Sequence, residues 1–263
     1  MTAPEGNRFE DFFASTSYVT LKNLLYNYRL RKRAVNRSIP RQGRALILEV
    51  GSGLSPMVTD SDRIVYSELS FAALSFLRST GQTRGLFVVA DAAYLPFKAD
   101  SFSTVICSEV LEHLPDDRQA LQQIAGIMHR AGSLILTFPH RHGYFGVDDR
   151  FVGHLRRYEL EEMRERIREA GLTPVEVQKV LGPVEKVVMA SVVSAVLLYQ
   201  RFRASRRIPN AERAPAKLMD RWRIVGPIFG FLNLLFCLPI WLDARLAPRF
   251  LSAVLLCRAV KPL

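Results

Sequence analysis

The sequence predicts an α/β fold built on a doubly wound, seven-stranded sheet, with an N-terminal helix and a helical, membrane-prone insertion between the last two strands. Three observations predict it. An apolar run, Leu46-Ile47-Leu48, leads through Glu49-Val50 into Gly51-Ser52-Gly53; acids recur at the ends of the next two apolar runs, at Glu68 and Asp91; and charge-free stretches separate the two final strand-like runs. Three apolar residues before Glu49 suit a strand buried on both faces. Two glycines let the backbone turn tightly and approach a ligand that a Cβ would block, as in the first βα turn of an open α/β sheet.

Taken in order, the elements agree. Tyr18, Leu21, Leu24, Leu25, Tyr28 and Leu30 recur at near-helical spacing before a basic run, which gives an amphipathic helix within residues 18–39. Its Asn23-Leu24-Leu25-Tyr26-Asn27-Tyr28 run suits an apolar entrance. Ile64 to Ser67 form a second strand ending in Glu68, whose carboxylate can accept both hydroxyls of a ribose, and Leu86 to Ala90 form a third ending in Asp91, which can accept from an adenine amino group. Ser103 to Cys107 make the fourth strand, followed by Ser108 and Glu109, and Ser133 to Pro139 the fifth. Thr173 to Val180 and Ser252 to Val260 read as the sixth and seventh. The expected organisation is a helical segment at 1–40, a core at 41–181, an apolar and basic helical insertion at 182–250, and the final strand of the core at 251–263. Acids and small residues after successive strands fall on one carboxyl edge, where such sheets bind ligands.

With Leu48-Glu49-Val50-Gly51-Ser52-Gly53, Glu68, Ala90-Asp91-Ala92, Leu95-Pro96-Phe97, Asp100-Ser101-Phe102, Val110-Leu111-Glu112-His113-Leu114 and Ala170-Gly171-Leu172 in this order, the chain resembles the class I S-adenosylmethionine-dependent methyltransferases. Within them it is similar to the broad group that includes the ubiquinone and menaquinone biosynthesis methyltransferases. The resemblance implies the Rossmann-like methyltransferase fold, with the seventh strand antiparallel beside the sixth, and S-adenosyl-L-methionine as cofactor. It implies that Glu49, Gly51 and Gly53 lie at the methionine part, that Glu68 holds the ribose, that Asp91 and the Ala92 amide read the adenine, and that Ser108 and Glu109 sit beside the methionine end. A nicotinamide-binding domain would place a third glycine near Pro56 and leaves Asp91 unexplained. Glu68 and Asp91 also speak against a non-catalytic membrane scaffold, on the premise that neither acid has a folding role an apolar residue could not fill.

The net charge is +11, and it is concentrated. Residues 28–44 hold Arg29, Arg31, Lys32, Arg33, Arg37, Arg41 and Arg44 with no acid, and residues 200–223 hold eight basic residues against Glu212 and Asp220. Such patches suit an anionic partner. Nucleic acid is disfavoured: the Pro-Pro-aromatic run of base-amine methyltransferases is absent after Ser108-Glu109, and no aromatics interleave the arginines as stacking platforms would. Cys107, Cys237 and Cys257 are far apart in apolar surroundings, which reads as buried thiols in a reducing compartment. The Met1 to Gly6 segment lacks the charged and apolar regions of a secretory signal, so a cytoplasmic location is expected.

Ile224 to Leu242 is nineteen residues without a charge, the length of a minimal transmembrane helix, but Pro227 and Pro239 interrupt it. Val187 to Tyr199 is charge-free and too short to cross. The last two strands must share one side of the membrane, so a single crossing between them is excluded. The insertion is therefore expected to dip into an anionic interface or to cap the substrate cleft.

The loop after the fifth strand holds His140, His142 and His154. Methyl transfer from a sulfonium is an in-line displacement, so positioning supplies most of the rate and one base at most is needed. Neutral imidazole suits that near pH 7. The three histidines compete for the role, with Tyr144 or Tyr158 as hydrogen-bonding partner. No metal is expected, since the His140, His142, Asp148 and Asp149 spacing matches no recognised ligand set. His113 is expected to be structural, and His129 to cap a helix C-terminus before Gly132. The His154 to Tyr158 run resembles a variant found among methyltransferases of envelope lipid and glycan pathways, which implies that Arg156 and Arg157 clamp a phosphate or carboxylate. The function expected is methyl transfer to oxygen or activated carbon of a lipid-like or lipid-linked acceptor, by a protein attached peripherally to the cytoplasmic membrane face; a soluble metabolite under a lid formed by 182–250 is the alternative.

Overall fold

In the computed structural model, residues 25–40, 46–81, 83–205, 231 and 233–263 are described. Expectations for residues 18–24, for Arg41 and Arg44, and for 206–230, which include most of the second basic segment and the start of the nineteen-residue run, lie outside them. The sheet contains β1 (Ile47–Val50), β2 (Ile64–Glu68), β3 (Leu86–Val89), β4 (Phe102–Ser108), β5 (Met128–Pro139), β6 (Thr173–Leu181) and β7 (Val254–Val260), in the order β3-β2-β1-β4-β5-β7-β6. β1 to β5 pair in parallel, while β7 runs antiparallel to both β5 and β6. The chain reverses direction between β2-β1 and β4, which opens a crevice at the carboxyl ends of β1 and β4.

Strand alternation divides the core in two. Leu48, Val50, Val105, Cys107, Leu134 and Leu136 face one side, where they meet Leu121 and Ile124 of α3 (Asp117–Ile127) and Met163 and Ile167 of α5 (Leu160–Glu169). Ile47, Ile64, Tyr66, Ile106 and Ile135 face the other, against Tyr28, Leu30 and Val35 of α1 (Tyr26–Ser38) and Leu74 and Leu77 of α2 (Phe71–Ser79). Successive side chains leave a strand on opposite faces, so a run such as Ile47 to Val50 has to be apolar on both sides of its backbone. Its four residues are all buried, Glu49 included.

Two short helices and one long one complete the edge that matters for function. α4 (Val147–Val152) follows β5, stops at Gly153 in the left-handed region, and packs on α6 (Pro183–Ser205), which starts directly after β6. Proline is suited to that first helical position. Val187 to Tyr199 lies within α6, and residues 233–246 are helical before β7. Among the described residues no helix is long and apolar enough to cross a membrane. His129 lies at the start of β5 and caps no helix. The strand extends back to Met128 across a shift in its register with β4, so the chain enters the sheet directly from Ile127.

Candidate functional site

A cavity of about 310 Å³ lies at the carboxyl edge of the sheet, within the range of small-molecule sites. Gly51, Ser52, Gly53, Glu68, Asp91 and Ala92 line one half; His113, Asp148, Asp149, His154 and Arg157 line the other; α1 adds Leu25, Asn27, Tyr28 and Arg31, and α6 adds Glu185 and Met189.

The first half is made by backbone. Gly51 and Gly53 have φ of 68° and 56°, a region that penalises a Cβ, and a Cβ on Gly51 would collide with the Val110 side chain. Gly51 N donates to Ser67 O at 2.8 Å, tying the turn to β2. Glu68 accepts from Gly53 N at 2.9 Å and from Ser70 N at 3.1 Å, while Asp91 accepts from Ala93 N at 2.8 Å. The premise that these acids have no folding role is thereby corrected: Glu68 ties the glycine turn to the next loop, and Asp91 closes its own turn. Glu49 is 2 % exposed and accepts from Met57 N at 2.6 Å and Val58 N at 3.2 Å. It fixes the loop after the glycine turn and also lines the cavity. Ser108 bonds Thr137 through its hydroxyl at 2.8 Å. Glu109, at φ 56°, pairs with Arg31 of α1 at 3.0 Å.

The structure separates the residues expected in the second half. His140 is buried outside the cavity with Nδ1 on Ser252 O at 2.8 Å, and burial lowers its basicity. His142 is exposed and bonds Glu162 at 2.8 Å. Tyr158 is fully buried and donates to Asp117 at 2.7 Å; burial and that carboxylate push its phenol well above the ordinary range. Tyr144 donates to Leu251 O at 3.2 Å, and Arg156 is held by Asp117 and Pro115 O. None of these five lines the cavity. The reason is topological: the loop is stitched to β7 through His140 N on Ala253 O, and it turns into α4 before it reaches the ligand edge.

His154 is brought to the cavity. Its Nδ1 lies 2.9 Å from Asp149 Oδ1, and its Nε2 is 3.8 Å from Glu112. Burial pushes Asp149 up, but His154, Arg157, Lys186 and the Gly146 amide outweigh it and hold the carboxyl far below the usual range. An ionised Asp149 can only accept, so Nδ1 carries the proton of that bond and Nε2 is the nitrogen on the Glu112 side. Arg157 lines the cavity but is committed to Asp149 at 2.8 Å and to the carbonyls of His140 and Ala253. Lys186 of α6 bonds both Asp148 and Asp149.

The sequence reading missed Arg31, Glu112, His113 and Glu185. Glu112 is fully buried with neither oxygen hydrogen-bonded, and burial followed by the Glu109 charge raises its carboxyl well above the usual range. Glu112, His113 and His154 present ligand atoms within 4.8 Å of one another, a set that could hold a divalent cation. His113, expected to be structural, stacks edge-on against His154 with ring centres 4.8 Å apart. Glu185 is pushed up to about 7 by burial, against the opposing bond from Asn27.

Residues 48–136 match the methyltransferase domain family. An uncharacterised methyltransferase of Bacillus subtilis, YcgJ, is 29 % identical over 119 residues, which is 42 % of this chain and 47 % of that protein, so the match spans about half the relative's length. The fold is similar to a Haloferax volcanii putative methyltransferase solved with the activator Trm112 (TM-score 0.63, 17 % identity, 99 % of this chain and 100 % of that one). It is also similar to phosphoethanolamine N-methyltransferase 2 of Haemonchus contortus, solved with S-adenosyl-L-methionine (TM-score 0.57, 18 % identity, 99 % and 61 %). The match over residues 48–136 and these likenesses support a class I S-adenosylmethionine-dependent methyltransferase, with S-adenosylmethionine as cofactor. The first half of the cavity fits that group: a turn with glycine at two of its three positions, carboxylates at or just past the ends of β2 and β3, and an ion pair with open valences beside β4.

Proposed function

We propose that the protein methylates an oxygen or activated carbon of a lipid-like or lipid-linked acceptor at the cytoplasmic face of a membrane. Bound in the first half of the cavity, S-adenosylmethionine supplies an electrophilic methyl group on a sulfonium. Glu68 and Asp91 hold the ribose and adenine, with the Ala92 amide beside them; Glu49, Gly51 and Gly53 shape the methionine end with Ser108 and Glu109. His154 takes the acceptor's proton on Nε2 while Asp149 keeps Nδ1–H in place, so the acceptor attacks as an anion. Arg157 and Lys186 keep Asp149 ionised by their positive charge.

The observation that carries the lipid reading is the two-sided character of α6. Glu185 and Met189 face the cavity, whereas Val187 is 65 % and Leu198 64 % exposed. Helical residues 233–246 continue that surface in composition, with Leu234, Leu235, Leu238 and Leu246 exposed. Exposed apolar side chains on both segments suit an interface, and the arginines of 200–223 suit anionic headgroups. Incubation of the protein with isotopically labelled S-adenosylmethionine and native lipid extracts tests the reading by mass spectrometry. Label in the organic phase is expected. Label only in the aqueous phase would favour a soluble acceptor with 182–250 as a lid, and label in neither would leave the acceptor class wrong.

A further inference from the structure

We infer that α1 and the helical residues 233–246 together form a docking face for an anionic lipid bilayer, with Arg29, Arg33 and Arg37 on the headgroups and a stripe of leucines in the apolar boundary. This rests on the membrane reading above and gives the attachment a surface separate from the arginines of 200–223.

The basic part comes from α1, which has no acid between Tyr26 and Ser38. Four of its polar side chains fix it to the body of the protein. Tyr28 Oη donates to Pro56 O at 2.7 Å, Asn36 Nδ2 to Met57 O at 2.7 Å and Lys32 Nζ to Thr59 at 3.2 Å, while Arg31 pairs with Glu109. Arg29, Arg33 and Arg37 recur every fourth residue, are exposed, and form no salt bridge among the described residues. That spacing puts them on one face of the helix, where like charges repel. An anionic surface relieves the repulsion.

The apolar part comes from the neighbouring helix. Asn233, Ile240 and Ala244 are buried, whereas Leu235, Leu238, Leu242 and Leu246 are between 40 and 80 % exposed. Steps of three, four and four residues set these leucines on one stripe, opposite the buried set. Such a stripe is uncommon on a surface that meets only water. Trp241 and Arg245 stand beside it, with the guanidinium 4.7 Å over the indole ring. Both side-chain types keep an apolar body in a membrane boundary and a polar end outside it.

The two parts adjoin. The Tyr26 and Phe236 ring centres lie 6.5 Å apart, and Tyr26, Tyr28 and Leu30 share one core with Ile240. Burial raises the Cys237 thiol and the Arg29 charge opposes it, which sets the first arginine of the row against the apolar helix. A nucleic acid could meet the arginines but gains nothing from exposed leucines; a bilayer with anionic headgroups matches both. Leu25, Asn27 and Tyr28 also line the cavity, so docking through α1 brings the cavity to the interface that holds a lipid-linked acceptor.

Co-sedimentation of the full chain with phosphatidylcholine vesicles, with and without phosphatidylglycerol, tests the face. Wild-type protein is expected on the mixed vesicles, and less of it at high salt. The variant carrying Arg29→Gln, Arg33→Gln and Arg37→Gln should bind them on the order of a hundredfold less tightly, about fivefold per arginine. Its affinity for S-adenosylhomocysteine should stay within about twofold of wild type, which reports an intact fold. Leu235→Ser, Leu238→Ser and Leu242→Ser together should remove the binding that survives high salt. Full vesicle binding by the arginine variant overturns the face; if Arg201→Gln, Arg203→Gln, Arg206→Gln and Arg207→Gln together abolish binding instead, membrane attachment stands and belongs to that segment. Wild-type protein that ignores both kinds of vesicle also overturns the face, and label in the organic phase would then still keep the lipid acceptor. A wild-type dimer that binds no vesicle and becomes monomeric in the leucine variant assigns the stripe to a second copy of the chain.

Discussion

The two halves of the cavity are built by different means. The cofactor half is a property of the backbone: strand ends, a glycine turn and amides that occupy Glu49, Glu68 and Asp91. The half proposed for the acceptor is a property of side chains from distant segments, where Asp149 of α4 gathers His154, Arg157 and, from α6, Lys186. A backbone site tolerates single side-chain changes, because amides remain where they are. A buried charge cluster does not, because removing one member leaves the others uncompensated.

The largest expected effect therefore falls in the acceptor half. His154→Ala should lower turnover by roughly 10²- to 10⁴-fold with little change in cofactor affinity, whereas His142→Ala, on the exposed Glu162 pair, should leave turnover near wild type. Single-turnover rates with the acceptor found in lipid extracts, alongside calorimetry with S-adenosylhomocysteine, measure both. Equal losses at His142 and His154 would erase the distinction between the halves, since His142 reaches no part of the cavity.

That contrast also explains what the sequence reveals. Glu49 to Gly53, Glu68 and Asp91 are legible because each sits at the end of its own strand, and parallel pairing of β1 with β2 and of β2 with β3 brings consecutive strand ends together without further information. The histidines are not separable by spacing. His140 and His154 lie in one loop, but His140 N is bound to Ala253 O beside β7, while α4 inserts Asp149 five residues before His154. Arg31 is one of seven positive charges in 28–44, and only the docking of α1 on the Pro56 to Thr59 loop distinguishes it. Tyr158 has the residue type of a catalytic partner, yet Asp117 on α3 holds it inside the core.

A second, smaller effect concerns pH. Glu185 is raised from its ordinary range to about 7 by burial, so the folded state retains a proton that the unfolded chain releases near pH 4.5. Such a group makes stability fall as pH rises between those two values, by a few kcal/mol at most. Asp149 has the opposite sign: its depressed carboxyl stabilises above the unfolded value and loses that contribution progressively as pH falls from about 4 towards its folded value. Urea unfolding of Glu185→Gln at pH 4.5 and pH 7 should show the variant gaining on wild type at the higher pH. A constant difference at both would mean that Glu185 is already ionised in the folded protein.

The smallest effects are expected in the cofactor half, and there the two carboxylates differ in what else they hold. Glu68 accepts from Gly53 N and Ser70 N, so Glu68→Ala removes a ribose acceptor and also releases the glycine turn. Asp91 accepts from Ala93 N within a two-residue turn, so Asp91→Ala removes the proposed adenine acceptor and a single local bond. Both should weaken S-adenosylhomocysteine by about 1–3 kcal/mol. Only Glu68→Ala should also lower the urea midpoint, by the worth of the two buried amide bonds it deletes, about 1–3 kcal/mol. Glu68→Gln keeps one acceptor oxygen and should recover part of the stability. If Asp91→Ala and Glu68→Ala lose stability equally, the turn is held by the strands rather than by Glu68, and the cofactor half owes even less to side chains than the hydrogen bonds indicate.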